Sequence, residues 1–349
     1  MKEKLKNLVR KNVLALAPYS SARDEFTEVA EVYIDANENP YNWDYNRYPD
    51  PYQSNLKSAI SEWKNVPAEN LFLGNGSDEI IDLLIRGFCE PQTESILTLS
   101  PSYGMYKVSA DINNVEVRTF PLDEDFGFDT ETLINQFVPS DKLLFICSPN
   151  NPSGNTYTND TILKLCRSFA GLVVVDEAYI DFADTQSMAS FVQTTPNLVV
   201  MQTLSKAMGA AGIRLGIGIM DQDLITILNK IKPPYNINEA SQKIALSIVK
   251  NRSEKLKQVS EILDERNILI SKISAYQFVK KVFPTEANFV LVKVDNADHL
   301  YNYLLSKGIV ARNRTRQFRC EGCIRFTIGT PAENQILLKA LDEFKNKLN

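Results

Sequence analysis

The chain has 349 residues, more than the ~100 to 200 that one domain usually takes, so its length predicts two folded units. Its net charge is -5, from 38 Lys and Arg against 43 Asp and Glu, and this balance excludes the broad basic surface of a non-specific nucleic-acid binder. The composition includes one histidine, His299, so any Ser-His-Asp triad, His-ligated metal or His general base would have to use this residue. It stands at the start of a predicted helix, so we expect a solvated side chain there and no metal site.

The termini and the cysteines predict a soluble cytoplasmic protein. The longest apolar run near the N-terminus covers only 13–17, and no segment approaches the ~20 apolar residues that cross a bilayer. The five cysteines are odd in number and scattered, which argues against a secreted disulfide framework. Cys320 and Cys323 have C-x-x-C spacing but lack a second pair of zinc ligands, so we expect a surface turn carrying two thiols.

Helix-period segments alternate with short apolar runs through the middle of the chain. Helices are predicted at 77–88, 130–137 and 159–169, and strands at 95–99, 115–120, 142–147, 172–175, 197–202 and 215–220. Several of the strands are continuous Val, Ile and Leu runs, which are typical of strands buried on both faces. This alternation predicts an α/β architecture in which helices cover a mostly parallel sheet.

The pattern changes in the last third of the chain. One or two long helices are predicted between residues 239 and 275. After Pro284 the order is strand 288–294, helix 297–307, strands 309–312 and 324–329, and a terminal helix from Glu333. These elements predict a compact α+β unit.

The strongest chemical signal follows the strand predicted at 197–202. Thr203 and Ser205 flank Lys206, and a stretch of small residues leads to Arg214. A lysine held in a desolvated pocket has a lowered pKa and acts as a nucleophile toward carbonyls. The two hydroxyls and the arginine fork could hold a phosphate. The alternative is a surface turn without chemistry.

Polar residues also follow two other predicted strands. Asp176 and Tyr179 come after 172–175, and Asn151 lies in the loop after 142–147. A carboxylate at the end of a buried strand is costly unless it is paired, for example with a protonated ring nitrogen. Ligands of open α/β sheets bind at the carboxyl ends of the strands, where all these residues are expected. Asp176 could instead cap a helix, and the loop could be turn chemistry alone.

A fourth signal is the glycine-containing start of the helix at 77–88. Gly74 and Gly76 precede Ser77 and Asp78, and free N–H groups at a helix start bind anions. The third glycine of a dinucleotide fingerprint is missing, which argues against a nicotinamide cofactor. Asp78 and Glu79 could simply complement the helix dipole.

Together the four segments resemble the aspartate aminotransferase superfamily of pyridoxal-phosphate enzymes, fold type I, over nearly the whole chain. Five further segments are similar to the branch that contains histidinol-phosphate aminotransferases, at 16–19, 35–40, 46–50, 288–289 and 324–330. The resemblance implies a three-layer α/β/α large domain with a mostly parallel sheet and a smaller α+β domain. It implies an N-terminal arm at 1–36 that is part of the small domain, a large cofactor-binding domain at 37–264 and a C-terminal small domain at 265–349.

The resemblance also implies that pyridoxal 5'-phosphate is the cofactor. Lys206 would form the covalent link to it and later carry the proton between the substrate α-carbon and C4′. Asp176 would keep the pyridine nitrogen protonated, which makes the ring an electron sink. Tyr179 and Asn151 would bond the ring 3-oxygen, and Tyr103 would stack on the ring. The cofactor phosphate would be bound by Ser77 and Asp78 through their backbone amides, and by Thr203, Ser205, Arg214 and, from the second subunit of a homodimer, Tyr48.

The implied reaction converts L-histidinol phosphate and 2-oxoglutarate to imidazole acetol phosphate and L-glutamate in histidine biosynthesis. Arg325 matches the carboxylate-binding arginine of the family, and Arg312 falls where this branch places an arginine for the substrate phosphate. The implied substrate site also includes Tyr19, Arg23 and Asn37 near the N-terminus. The chain departs from the pattern at Asn313, where an acid is expected, and three arginines make the segment that follows basic: Arg314, Arg316 and Arg319. These arginines either help to bind the substrate phosphate or belong to a solvated loop.

Three alternatives remain at this stage. The first is another enzyme of the same fold, an aromatic or general amino-acid aminotransferase or a threonine-phosphate decarboxylase. The second is a non-catalytic ligand sensor, although no DNA-binding module accompanies the fold. The third is a nicotinamide-dependent oxidoreductase.

Overall fold

The larger unit of the chain is built around a central sheet. The computed structural model describes residues 3–18 and 31–348. Within those residues the sheet has seven strands in the order β1-β7-β6-β5-β4-β2-β3. The strands are β1 Leu71–Asn75, β2 Ser95–Ser100, β3 Glu116–Pro121, β4 Asp141–Cys147, β5 Leu172–Asp176, β6 Leu198–Thr203 and β7 Leu215–Ile219. Strand β7 runs antiparallel to both of its neighbours, while the other paired strands are parallel. The six predicted strands and the mostly parallel sheet are therefore confirmed.

Helices cover both faces of this sheet. In β5, Val173 and Val175 belong to one hydrophobic cluster, whereas Leu172 and Val174 belong to another. Successive strand residues point to opposite faces, so each face packs against its own layer of helices. The helices of this unit are α3 Ser54–Lys64, α4 Ser77–Phe88, α5 Met105–Ile112, α6 Thr130–Ile134, α7 Asn159–Ser168, α8 Gln222–Ile231 and α9 Glu239–Lys250. Short 3₁₀ turns occur at Ala68–Asn70, Ile180–Phe182, Met188–Thr194 and Ala211–Ile213. The three-layer α/β/α prediction is confirmed.

The second unit is a smaller antiparallel sheet with helices on one side. Its order is β10-β11-β9-β8, with β8 Val279–Val282, β9 Phe289–Val294, β10 Arg312–Asn313 and β11 Cys323–Thr327. The helices are α10 Arg252–Ile273, α11 Ala297–Ser306 and α12 Pro331–Leu348. The strand predicted at 309–312 is wrong in extent, because only Arg312 and Asn313 pair with β11.

The beginning of the chain packs on the large unit. Short helices α1 Glu3–Lys6 and α2 Lys11–Ala15 place Leu5, Val9 and Val13 in the cluster that also contains residues of α4 and α8. The resemblance implies that this arm is part of the small domain, whereas the described part of the arm, residues 3–18, contacts the large unit. The apolar side chains of the arm pack against an apolar face of the large unit. The local sequence pattern of the arm does not specify which unit it contacts.

The proposed boundary at 264 falls inside helix α10. Val259 belongs to a cluster of the large unit, whereas Leu269 and Ile273 belong to the cluster of the small unit. One continuous helix therefore contributes to both cores. Among the helices of residues 3–18 and 31–348, none combines the length and the apolar composition that a membrane span requires.

Candidate active site

The strand ends of the large sheet meet at one edge. Strand β4 ends at Cys147 beside Asp176, the last residue of β5, and β6 ends at Thr203 beside Gly216. Asn75, the last residue of β1, pairs with the first residue of β7. The sheet order thus brings the separate sequence signals to one place, as the strand-end rule predicts.

A cleft opens at this edge and encloses about 470 Å³ of space when the solvent at its mouth is included. Its lining residues include Ser77, Asp78, Tyr103, Cys147, Asn151, Asp176, Tyr179, Thr203, Ser205, Lys206 and Arg214. Every cofactor-binding residue predicted from the sequence, apart from Tyr48, is in this list.

Asp176 is buried at the floor of the cleft. Its Oδ1 accepts a hydrogen bond of 3.1 Å from the Ala178 amide, and its Oδ2 accepts one of 2.7 Å from the Tyr106 hydroxyl. Burial raises the pKa of Asp176, and both hydrogen bonds act in the opposite direction because they stabilise the carboxylate. The two hydrogen bonds thus favour an ionised Asp176 carboxylate in the cleft lining, where a cationic group of a ligand can pair with it.

Tyr106 is a site residue that the sequence reasoning missed. It is fully buried on α5 and stacks on Phe145 of β4, with ring centroids 4.6 Å apart. Tyr103 precedes the helix, and its ring meets that of Tyr106 edge-on with centroids 5.6 Å apart, a contact that the sequence spacing does not specify.

Lys206 extends into the open cleft from the turn that follows β6. Its Nζ lies 5.5 Å from the centroid of the Tyr179 ring. Burial of the side chain against the cleft wall, and next the charge of Arg325, lower the pKa of Lys206, while Asp176 opposes this effect. A larger fraction of the uncharged amine is therefore present than for a solvated lysine.

Asn151 connects the two units of the chain. Its Nδ2 donates a hydrogen bond of 3.5 Å to the Tyr179 hydroxyl, and its Oδ1 accepts one from Nη1 of Arg325. The Arg325 guanidinium also lies over the ring of Phe289, 4.9 Å from its centroid. Arg325 on β11 of the small sheet is thereby held at the cleft of the large sheet. Burial, followed by the charge of Arg314, lowers the pKa of Arg325 to about 10.

The start of α4 forms a compact cradle with Arg214. Gly76 has φ +78°, and a Cβ added there would lie 2.7 Å from Nη2 of Arg214. A Cβ at Gly216 would lie 2.5 Å from the Ser77 amide nitrogen. Only glycine permits both close approaches, and α4 has no side-chain cap on its first turn. The helix start thus presents amides and a guanidinium together, which suits an anion.

The side chains around this cradle are already ordered. Asp78 accepts hydrogen bonds from the Tyr103 hydroxyl at 3.1 Å and from Arg214 Nη2 at 3.3 Å. Thr203 Oγ1 donates to the Leu215 carbonyl at 3.1 Å and lies 2.9 Å from Ser205 Oγ. The carboxylate of Asp78 is thus paired with a cation, and its negative charge at the cradle is partly offset.

The remaining predicted residues lie away from the cleft lining or outside the described residues. Arg312 is exposed on β10 and pairs across the sheet with Arg325. Asn37 is exposed with φ +55°, and Tyr48 stacks on Tyr235 with ring centroids 4.5 Å apart. Two predicted residues, Tyr19 and Arg23, fall outside the described residues.

Two expectations concern residues of the small unit. His299 is exposed on α11, where its amide donates to Asn296 and its ring packs against Phe344, 5.1 Å between centroids. The expected surface turn at Cys320 and Cys323 is wrong, because both residues are fully buried. The turn itself forms, but both side chains pack in the hydrophobic cluster that also contains Phe289 and Leu291 of β9. Among the described residues no cluster of possible metal ligands occurs.

Comparisons with known proteins agree with the geometry of this site. The sequence profile of aminotransferase class I and II matches residues 12–341. The chain belongs to this family. As a class I and II aminotransferase it is a pyridoxal-phosphate-dependent transaminase, so the predicted enzyme class and cofactor are confirmed and the nicotinamide alternative is not supported.

Individual relatives of this aminotransferase are similar along nearly its whole length. A histidinol-phosphate aminotransferase of Parabacteroides distasonis is 52% identical over 98% of this chain and 99% of the relative. One of Christiangramia forsetii is 50% identical over 98% and 99%. The crystal structure of the histidinol-phosphate aminotransferase from Clostridium acetobutylicum matches with a TM-score of 0.79 and 28% identity, covering 86% of this chain and 91% of that one.

Proposed function

We propose that this aminotransferase converts L-histidinol phosphate and 2-oxoglutarate to imidazole acetol phosphate and L-glutamate, reversibly, in histidine biosynthesis. Relatives that are 44 to 52% identical over at least 97% of the chain are named histidinol-phosphate aminotransferases, which supports this choice of substrate. The observation that carries the proposal is the contact between Arg325 and Asn151, because it sets an anion-binding guanidinium of the small unit beside the amine of Lys206 and the carboxylate of Asp176.

The residues of the cleft fit pyridoxal phosphate. The glycine cradle at the start of α4, with Arg214 across it, suits the cofactor phosphate, and the hydroxyls of Thr203 and Ser205 border it. We infer that Ser77 and Asp78 bind this phosphate through backbone amides. The Asp78 side chain is engaged by Tyr103 and Arg214, so it does not need to face the phosphate.

At the other end of the cleft, Asp176 would hold a proton on the pyridine nitrogen. Tyr179 and Asn151 would donate hydrogen bonds to the ring 3-oxygen, and the ring of Tyr103 would pack against the cofactor. When bound, pyridoxal phosphate supplies an electron sink that makes the substrate α-hydrogen acidic. The lowered pKa of Lys206 fits a general base, whose efficiency is greatest when its pKa lies near the working pH. Its Nζ would take the α-proton and return it.

We infer that Arg325 binds the carboxylate of glutamate and 2-oxoglutarate. Its position beside Asn151 and over Phe289 fixes the plane of the guanidinium, which suits bidentate binding. Arg312, its neighbour across the sheet, would bind the substrate phosphate from the rim of the cleft. Tyr19, Arg23 and Asn37 remain proposed substrate contacts.

We further propose a cytoplasmic homodimer in which Tyr48 completes the cofactor site of the other subunit. Support comes from Tyr48 lying outside the cleft lining of its own chain and from a run of exposed aromatic residues around it: Tyr41, Trp43, Tyr45 and Tyr52. Exposed aromatic patches of this kind commonly mark protein interfaces. Sedimentation velocity tests the dimer, and a fully active monomer would contradict the role of Tyr48.

The reaction class is tested by product analysis. Purified holoenzyme is incubated with histidinol phosphate and 2-oxoglutarate, and glutamate is quantified against the loss of histidinol phosphate. We expect one glutamate per molecule consumed. With threonine phosphate, release of CO₂ at a comparable rate would instead support the decarboxylase alternative.

A further inference from the structure

Arg314 occupies a fixed position directly after the edge strand of the small sheet. Its amide donates to the Cys323 carbonyl at 2.8 Å, which continues the pairing of β10 with β11. Its carbonyl accepts from the Gln317 amide at 2.8 Å, and the Gln317 side chain donates to the Ser102 carbonyl at 3.1 Å. This contact ties the segment to the residue that precedes Tyr103. The backbone that carries Arg314 is therefore anchored at the cleft.

The Arg314 side chain is turned inward. It is half-buried, its Nε is fully buried, and this atom has no hydrogen-bond partner among the described residues. The neighbouring Thr315 Oγ1 is likewise buried without a partner in the described part of the chain. Arg316, the next arginine, is exposed. Buried polar atoms are nearly always satisfied in folded proteins, so unpartnered donors at this point indicate a ligand that supplies acceptors.

The charges around Arg314 have the same sign. None of Arg312, Arg314 and Arg325 forms an ion pair with an acidic group of residues 3–18 or 31–348. Of the two neighbouring arginines, Arg314 lowers the pKa of Arg325 more than Arg312 does. Burial raises the pKa of Tyr179, and the charges of Arg325 and Arg314 act against this increase. Arg314 therefore lies near the catalytic end of the cleft, and partly buried cations without a counter-ion are costly unless an anion binds.

We propose that Arg314 is a specificity residue that binds the phosphate group of the amino-donor substrate. The inference rests on the proposed function and refines it, because it names an inner guanidinium for the phosphate in addition to Arg312 at the rim. A phosphate monoester carries about -1.5 to -2 charges at pH 7, and a carboxylate carries one. A second guanidinium beside Arg325 matches this larger charge, and its planar fork matches two phosphate oxygens.

The test compares Arg314→Gln with Arg316→Gln, which removes the same charge two residues away on an exposed side chain. Loss of a charge-assisted hydrogen bond predicts that Arg314→Gln raises the KM for histidinol phosphate about 10- to 100-fold. We expect kcat to change less than about threefold, since ground state and transition state lose the same contact. Arg316→Gln should stay within about twofold of the wild type in both constants.

Two further readouts separate phosphate binding from general damage. Calorimetric titration of the holoenzyme with inorganic phosphate should show binding that weakens about 10-fold or more in Arg314→Gln and not in Arg316→Gln. Turnover of histidinol, which lacks the phosphate, should be the same in Arg314→Gln as in the wild type. If Arg314→Gln loses its cofactor absorption band or its wild-type melting temperature, Arg314→Lys replaces it, with an expected rise in KM of at least about threefold because the fork is lost.

An unchanged KM and unchanged phosphate affinity in Arg314→Gln would overturn the role of Arg314 and leave the proposed function intact. A fall in kcat at constant KM would also overturn it, because the residue would then act on the chemistry. Failure of the wild-type holoenzyme to use histidinol phosphate is a different result, which would refute the proposed function.

Discussion

The hydrogen bond from Tyr106 to Asp176 provides a quantitative test of how the cleft is organised. Tyr106→Phe removes one hydroxyl and leaves the stacking on Phe145 in place. The bond is 2.7 Å long, fully buried and directed at a carboxylate. Hydrogen bonds to charged groups contribute ~1.5 to 3 kcal/mol, so losing this one favours the protonated carboxyl by about that amount, and we expect cofactor affinity to fall about 10- to 100-fold at a pH below the raised pKa of Asp176.

The pH dependence of the same variant has a definite sign. Burial already raises the pKa of Asp176, and the Tyr106 hydroxyl acts against that rise. Removing the hydroxyl therefore raises the pKa further. Because the proposed partner of Asp176 is a protonated ring nitrogen, the carboxylate must be ionised, and affinity is lost as pH falls through its pKa. In a plot of cofactor affinity against pH, the decrease on the acidic side (the acidic limb) should therefore occur at higher pH in Tyr106→Phe than in the wild type.

The measurement is the dissociation constant of pyridoxal phosphate as a function of pH, from fluorescence titration of the apoenzyme. Tyr157→Phe is the matched control. Tyr157 is also buried, but its hydroxyl donates a hydrogen bond of 3.2 Å to the Phe126 carbonyl and not to Asp176. An identical affinity and acidic limb in Tyr106→Phe and Tyr157→Phe would refute the reasoning.

Four further predictions concern single sites. Lys206→Ala should lose the visible absorption band of the covalently bound cofactor and at least about 100-fold in turnover, and a wild-type spectrum would contradict its role. Gly76→Ala should weaken cofactor binding about 10-fold or more in a fluorescence titration, since the added methyl group would meet Arg214 at a φ of +78°; an unchanged dissociation constant would argue against the cradle. His299→Gln should leave kcat and KM within about twofold, and a large loss of rate would reveal a missed catalytic role. Burial raises the pKa of Cys320 to about 12 and of Cys323 to about 11, so native protein at pH 7.5 should resist alkylation at both, as peptide mass spectrometry can check.

Much of the large sheet was predictable because its strands are continuous apolar runs. Strand β1 Leu71–Asn75 was missed, although it lies directly before the recognised helix start. It is a short edge strand, and its place beside β7 depends on long-range pairing. Strand β8 Val279–Val282 was missed because two of its four residues are lysines on an exposed edge.

The cofactor site was predictable for a related reason. Asp176 ends one buried strand and Lys206 follows another, and strand ends of such a sheet converge, so local sequence determines much of the geometry. The contact of Arg325 with Asn151 joins residues 174 positions apart in different units of the chain, and no local pattern encodes it. The burial of Cys320 and Cys323 also depends on tertiary packing, since the turn residues around them resemble those of an exposed loop.

The relative specificity for phosphorylated and aromatic amino donors tests the central claim most directly. The measurement is kcat/KM of the wild-type holoenzyme for histidinol phosphate, phenylalanine and tyrosine, each with 2-oxoglutarate as acceptor. We predict that histidinol phosphate has the highest kcat/KM, by about 10-fold or more, because its phosphate meets the arginines of the small sheet. Equal or higher kcat/KM for phenylalanine or tyrosine, or no glutamate from histidinol phosphate, would contradict the account.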